Sequence, residues 1–223
     1  MSTIIQITDD NIHWAVNLWC SDMTNAERIY GHISGWDTSS VTDMVYLFEA
    51  STFNDDIRGW NTSSVANMSY MFNSNSAFNQ DIGGWDVSSV TNMCWMFNNA
   101  IAFNQDIGGW DVSLVDNMER MFHGATAFNQ PLGDWDVSNF TYMDYMFFKA
   151  SVFNQPLGDW NMINRQKYTY DGMFRLANAF DPDNLTKKTN WSRRKNALIA
   201  LNDIPIHDIF AIPEMKRNII RWI

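Results

Sequence analysis

Carboxylates recur in this sequence at a fixed interval. Asp37, Asn61, Asp86, Asp111, Asp136 and Asn161 each follow a tryptophan, and Ser39, Ser63, Ser88, Ser113 and Ser138 stand two residues further on. Asp134 and Asp159 sit just before two of those tryptophans. Carboxylates brought into one column repel, so the face carrying them should attract cations or a protein partner with a basic surface, and some of its pKa values should rise. A divalent ion is another conceivable occupant, but hard-cation sites need six or more converging oxygens. The third reading is local: Asp side chains that accept from neighbouring backbone N–H groups on a solvated face. The candidate partner-binding residues of this face are Asp37, Asp86, Asp111, Asp134, Asp136 and Asp159.

Other chemistry is harder to find. His13, His32, His123 and His207 fall at unrelated places in the pattern and lack any metal-ligand spacing. The sequence has no GxGxxG after a strand, no GxxxxGK followed by Ser or Thr, and no GxSxG elbow. Carboxylate pairs recur as a lattice rather than gathering in one pocket, so no acid/base dyad is expected. The expectation is a protein that is not an enzyme and holds no metal or other cofactor. A second column, Asn54, Asn79, Asn104, Asn129 and Asn154, follows recurring phenylalanines and predicts a buried amide ladder that satisfies turn groups from unit to unit.

What positions these columns is internal repetition. Trp36, Trp60, Trp85, Trp110, Trp135 and Trp160 are spaced by 24 residues once and by 25 thereafter. The best copies read FNQDIGGWDVSSVTNMCWMFNNAIA, from Phe78 to Ala102, and FNQDIGGWDVSLVDNMERMFHGATA, from Phe103 to Ala127. Within one copy Trp85 and Val87 alternate with Asp86 and Ser88, which predicts a short strand. Val90, Met93, Met96, Phe97 and Ala100 follow at helical offsets, and the FNQDIGG segment returns the chain through polar residues. One such unit has too small a core to fold alone, so units must stack, with Trp, Met and Phe columns inside. The fold class expected is α/β: a short right-handed leucine-rich-repeat-like solenoid with one parallel sheet, short helices on the opposite face and helical caps at both ends.

Three segments follow. Residues 1–35 carry Ile12, Val16 and Trp19 on one helical stripe, then Ala26, Ile29 and Tyr30, and read as a helical N-terminal cap. Residues 36–180 are the array of about five to six repeats. Residues 181–223 read as a basic helical cap or tail: from Lys187 onward eight Lys/Arg face three Asp/Glu, net +5, which leaves −15 of the total −10 on the rest. That charge argues against nucleic acid as a partner of the array. In the tail, Arg193, Arg194 and Lys195 beside Trp191 are candidates for docking to another protein or an anionic surface.

The chain's 223 residues are 46% apolar, with 11 Trp, 14 Met and 15 Phe, which excludes a disordered acidic tail. No apolar run reaches the length of a membrane helix, and MSTIIQITDD has no basic and apolar signal regions. Cys20 and Cys94 show no pairing pattern. The expected location is therefore intracellular or virion-associated, with surface display requiring non-classical export.

Written as WDVSxVTNMxxMFxxAxxFNQx(I/L), the repeat resembles that of the BspA-like surface-protein family, also met in mycoplasma lipoproteins. The resemblance runs from about Asn11 to Phe180. It includes the stretch AVNLW…YGHISGWD, similar to a leader that precedes these repeats in algal, bacterial and large-DNA-virus proteins. It implies a leucine-rich-repeat-like solenoid with a role in protein binding or adhesion, and brings no catalytic residues. Two functions follow: an interaction or scaffold module presenting the acidic face, or a structural component of an assembly such as a giant-virus particle, docked through the basic tail.

Overall fold

The computed structural model describes residues 5–157, 160, 172–181 and 184. The chain divides into two units, Met1–Thr186 and Lys187–Ile223, and every described residue lies in the first. It opens with two helices, α1 (Ile12–Ser21) and α2 (Met23–Tyr30). In α1 the stripe Ile12, Ala15, Val16 and Trp19 is buried, the spacing of one helical face. Asp22 separates the two helices and caps the second, its carboxylate accepting from the Asn25 N–H at 3.1 Å. Gly31, at φ 77°, then ends α2 in a conformation that suits a residue without Cβ.

The array that follows corrects the expected fold. Among the described residues there are no strands and no α-helices beyond α1 and α2, so this is not an α/β solenoid with a parallel sheet and opposed helices. Among these residues parallel pairing is confined to isolated bridges that join Asp43 to Asn67, Asn67 to Asn92, Asn92 to Asn117 and Asn117 to Tyr142. The expected C-terminal helical cap lies outside the described residues.

What the Met-Phe segment forms instead is a chain of turns. In one copy the N–H groups of Met96, Asn98 and Ala100 donate to the carbonyls of Met93, Trp95 and Phe97, each three residues back. The alternate N–H groups, of Met93, Trp95, Phe97 and Asn99, donate to Asn117, Glu119, Met121 and His123 of the following copy, at 2.7–2.9 Å. Every backbone donor from Met93 to Ala100 other than Cys94 is thus used by a carbonyl, and the Cys94 N–H goes to Asn92 Oδ1 at 3.0 Å. Trp95 (φ 60°) and Asn99 (φ 54°) are left-handed, as are Tyr46, Tyr70, Arg120 and Tyr145 at the Trp95 position. A left-handed residue costs about 1–2 kcal/mol and cannot continue an α-helix. A three-residue turn places apolar side chains at nearly the same offsets as a helix, which is why the sequence reads as helical there.

The expected strand fails for a related reason. The Trp85 N–H closes a turn on Ile82 at 3.1 Å, and the Val90 N–H closes another on Val87 at 2.9 Å. Trp85 and Val87 are buried on either side of exposed Asp86, so the alternation is real in burial but belongs to a link between turns.

Successive copies bury their aromatic side chains in columns. Phe48, Phe72, Phe97, Phe122, Phe147 and Phe174 stack at 5.5–5.7 Å. Phe53, Phe78, Phe103, Phe128, Phe153 and Phe180 form a parallel column at 5.9–6.3 Å. The indole Nε1 of Trp85, Trp110, Trp135 and Trp160 donates to the carbonyl of Ile57, Ile82, Ile107 and Leu132 of the copy before, so each buried polar tip is satisfied.

The first copy has no predecessor, and the N-terminal segment supplies the missing acceptor. In later copies Ala66, Thr91 and Asp116 donate their N–H to a carbonyl of the preceding copy. At the equivalent place the Thr42 N–H donates to Asp9 Oδ1 at 2.7 Å, and the Thr42 hydroxyl donates to Asp9 Oδ2 at 2.7 Å. Trp19 Nε1 adds a bond to Asp55 Oδ2 at 2.7 Å. The N-terminal segment thus closes an edge that would otherwise expose unpaired backbone.

Candidate functional site

The aspartates after the tryptophans do form one exposed column, and each is a local turn. Asp37, Asp86, Asp111 and Asp136 accept through Oδ1 from the N–H of Ser39, Ser88, Ser113 and Ser138 at 2.9–3.1 Å. Asn61 does the same for Ser63 at 3.1 Å. The Ser88 hydroxyl adds a bond to Asp86 at 2.6 Å. Mutual repulsion was expected to raise pKa values here, and the structure reverses that expectation. Asp37, Asp86, Asp111 and Asp136 are all held below the usual carboxylate value, first by the serine hydroxyls and then by the serine N–H groups. Repulsion is present, since Asp86 and Asp136 push Asp111 up, but it is the smaller effect.

Asp134 is exposed in the turn before Trp135. Asp159, Arg193, Arg194 and Lys195 lie outside the described residues, as does Asn161. No three His, Cys, Asp or Glu side chains gather into a possible metal site among the described residues.

The asparagine ladder runs from copy to copy, but along the surface rather than inside. Asn54, Asn79, Asn104 and Asn129 accept through Oδ1 from the N–H of Asn79, Asn104, Asn129 and Asn154 at 2.8–2.9 Å. Gln80, Gln105, Gln130 and Gln155 donate to the carbonyls of those four asparagines. These residues are exposed or half-buried. They fix the register between copies.

Sequence reasoning missed a second surface altogether. The left-handed residues of the turns, Tyr46, Tyr70, Trp95, Arg120 and Tyr145, stack along the array. Tyr46 lies 4.6 Å from Tyr70 and Tyr70 lies 5.5 Å from Trp95. The Arg120 guanidinium sits 4.5 Å from the Trp95 ring centre and 5.0 Å from that of Tyr145. The signal was available as position: all five occupy one phase of the repeat, directly before the Met-Phe or Leu-Phe pair.

Two overlapping stretches, residues 19–115 and 78–191, match the family described as Mycoplasma protein of unknown function, DUF285. The chain belongs to this family. Overlap is natural for a periodic chain, which satisfies one pattern in more than one register. No curated protein and no solved structure matches the chain. Membership of the DUF285 family establishes kinship and carries no function with it. No helix among the described residues is long and apolar enough to cross a membrane.

Proposed function

We propose that this chain is a non-enzymatic interaction module of the adhesion or scaffold type, offering its aspartate column to a protein partner with a basic surface. The observation that carries the reading is the set of four exposed aspartates held ionised in line by their serines. Turns pre-orient the carboxylates, so little side-chain freedom is lost on docking. The −15 on Met1 to Thr186 adds long-range attraction for a cationic partner. Resemblance of the repeat to the BspA-like proteins supports a binding role over a catalytic one. The docking role of the basic tail rests on Arg193, Arg194 and Lys195, and no observation on the described residues favours it.

The test is titration of the full chain with a fluorescent Lys/Gly peptide at low and high salt. Binding that weakens with salt and vanishes in Asp86→Lys/Asp111→Lys/Asp136→Lys is expected. Binding retained by that triple variant, or indifferent to salt, would remove the aspartate column from the account.

A further inference from the structure

The missed surface differs from the aspartate column in sign and chemistry. Five Lys/Arg fall among the described residues, and three of them, Arg120, Lys149 and Arg175, gather on this one flank. Phe148 joins two of them, with His123 stacked on it at 4.8 Å, the Lys149 ammonium 5.3 Å away and the Arg175 guanidinium 6.0 Å away, and it meets the Tyr145 ring beneath Arg120 edge-on at 5.7 Å. Of the other two cations, Arg58 is paired with Asp56 at 3.0 Å and Arg28 donates to Asn25 at 2.7 Å.

The charge on the flank is incompletely compensated. Arg120 has one ion pair among the described residues, a long one of 3.5 Å to Glu119, and its Nε has no hydrogen-bond partner. Among the described residues, Arg175 Nε and His123 Nδ1 are likewise buried without hydrogen-bond partners. Glu119 and Asp144 are the carboxylates of the adjoining column. Even counting both in full, the three cations leave the described residues of the patch positive within a strongly negative unit. His123 reports the same local field: burial first, then Arg120 and Lys149, hold its pKa below the ordinary imidazole value.

Toward the N-terminal copies the flank changes character. Tyr46, Tyr70 and Trp95 carry no charge. Beside them Asn73 donates to Glu49 at 2.6 Å and Asn98 donates to Asn73 at 2.6 Å, while Asn98 Oδ1 is buried with no hydrogen-bond partner among the described residues. The rings stack face to face, so their edges are what remains for a ligand, and ring edges carry the positive end of the aromatic quadrupole. The flank is therefore polarised along the array: cationic at Arg120 and beyond, uncharged and edge-on aromatic before it, with Glu49 at the far end.

We propose that this flank is a second docking surface. It takes an extended peptide segment of a partner, acidic over Arg120, Lys149 and Arg175 and uncharged over Tyr46 and Tyr70. Five steps between copies at about 4.8 Å span about 24 Å, the length of about seven extended residues. A uniform polyanion such as single-stranded nucleic acid fits worse, because its phosphates would continue over Glu49 and the neutral half. The site is independent of the aspartate column and is of opposite charge.

The test is fluorescence anisotropy of labelled peptides with the full chain. The probes are an octapeptide with Glu in one half and Ser/Tyr in the other, its all-Glu and Lys-for-Glu counterparts, and oligodeoxythymidine. The half-acidic peptide should bind saturably and tightest of the four. Arg120→Gln/Lys149→Gln/Arg175→Gln should weaken it by about 30-fold. Asp86→Asn/Asp111→Asn/Asp136→Asn should leave it within about threefold, since screening separates the surfaces. Because Arg120 packs between two rings, the exposed single variant Lys149→Gln is run beside the triple and should weaken binding by about three- to fivefold. Absence of binding, undiminished binding to both the triple and the single variant, equal binding of the all-Glu peptide, or tighter binding of oligodeoxythymidine would each overturn the proposal.

Discussion

Removing one ring from a phenylalanine column should weaken the whole array. The Phe97 ring is fully buried, 3.9 Å from Phe103 and 5.6–5.7 Å from Phe72 and Phe122 in the flanking copies. The surroundings have little means of closing the hole left by Phe97→Ala. The Phe97 N–H is tied to Met121 at 2.9 Å, and the Phe72 N–H is tied to Met96 at 2.9 Å, so neighbouring copies are held at their spacing from both sides. The cost should fall at about 3–5 kcal/mol, the range for a buried Phe truncated to Ala with the cavity retained. For a unit of this size that corresponds to a fall in Tm of about 6–20 °C. Guanidinium unfolding followed by tryptophan fluorescence measures the loss, with Leu114→Ala as control, since Leu114 is 53% exposed and should change stability by no more than about 0.5 kcal/mol. A loss below about 1 kcal/mol for Phe97→Ala, or losses of equal size for the two variants, would refute the stacked-column core.

Other perturbations read out other parts of the structure. Ser74 is exposed at φ 57°, so Ser74→Gly should stabilise by up to about 1 kcal/mol, whereas in a helix the same change would destabilise by a similar amount. The sign, read from a melting curve, separates the two. Asp9→Ala removes the acceptor for the Thr42 N–H and hydroxyl; after discounting for exposure it should cost about 1 kcal/mol and first raise amide exchange in the copy that starts at Trp36. Acid should act through the aspartate column. Carboxyls held below their unfolded value stabilise the fold above that value, about 3.9, and lose the contribution as pH falls through the lower folded value. Stability measured from pH 6 downward should thus drop below about pH 4, and Asp86→Asn/Asp111→Asn/Asp136→Asn should flatten the drop.

The repeat period was legible because six tryptophans keep it, and burial followed because Trp85, Val87, Val90 and Met93 face inward whatever the backbone does. Helices α1 and α2 were legible as well, since Ile12, Val16 and Trp19 repeat at helical spacing with no competing turn residue. The backbone of the array was not. A chain of three-residue turns and a helix share the offset of three, and the residues that break the helix, Tyr70, Trp95 and Arg120, are non-glycine residues with positive φ that no composition rule marks. Their conformation is held by bonds to the next copy, such as the Trp95 N–H to Glu119 at 2.9 Å, which local sequence does not show. The direction of the aspartate shifts turned on weighing two visible columns. Repulsion between Asp86, Asp111 and Asp136 was readable, but so were Ser88, Ser113 and Ser138 two residues on, and the serine donors prevail. The aromatic and cationic flank escaped notice because Tyr46, Tyr70, Trp95, Arg120 and Tyr145 share no chemistry when read singly and become one surface only when stacked.

The central claim is that alternate N–H groups of each turn segment belong to the next copy of the repeat. Scalar couplings transmitted across hydrogen bonds, recorded by long-range HNCO spectroscopy on deuterated protein, test it directly. The Phe97 amide should couple to the carbonyl of Met121, and the Asn99 amide to that of His123. Coupling of Phe97 to Met93 and of Asn99 to Trp95 instead, four residues back within the same copy, would be a helix and would contradict the account.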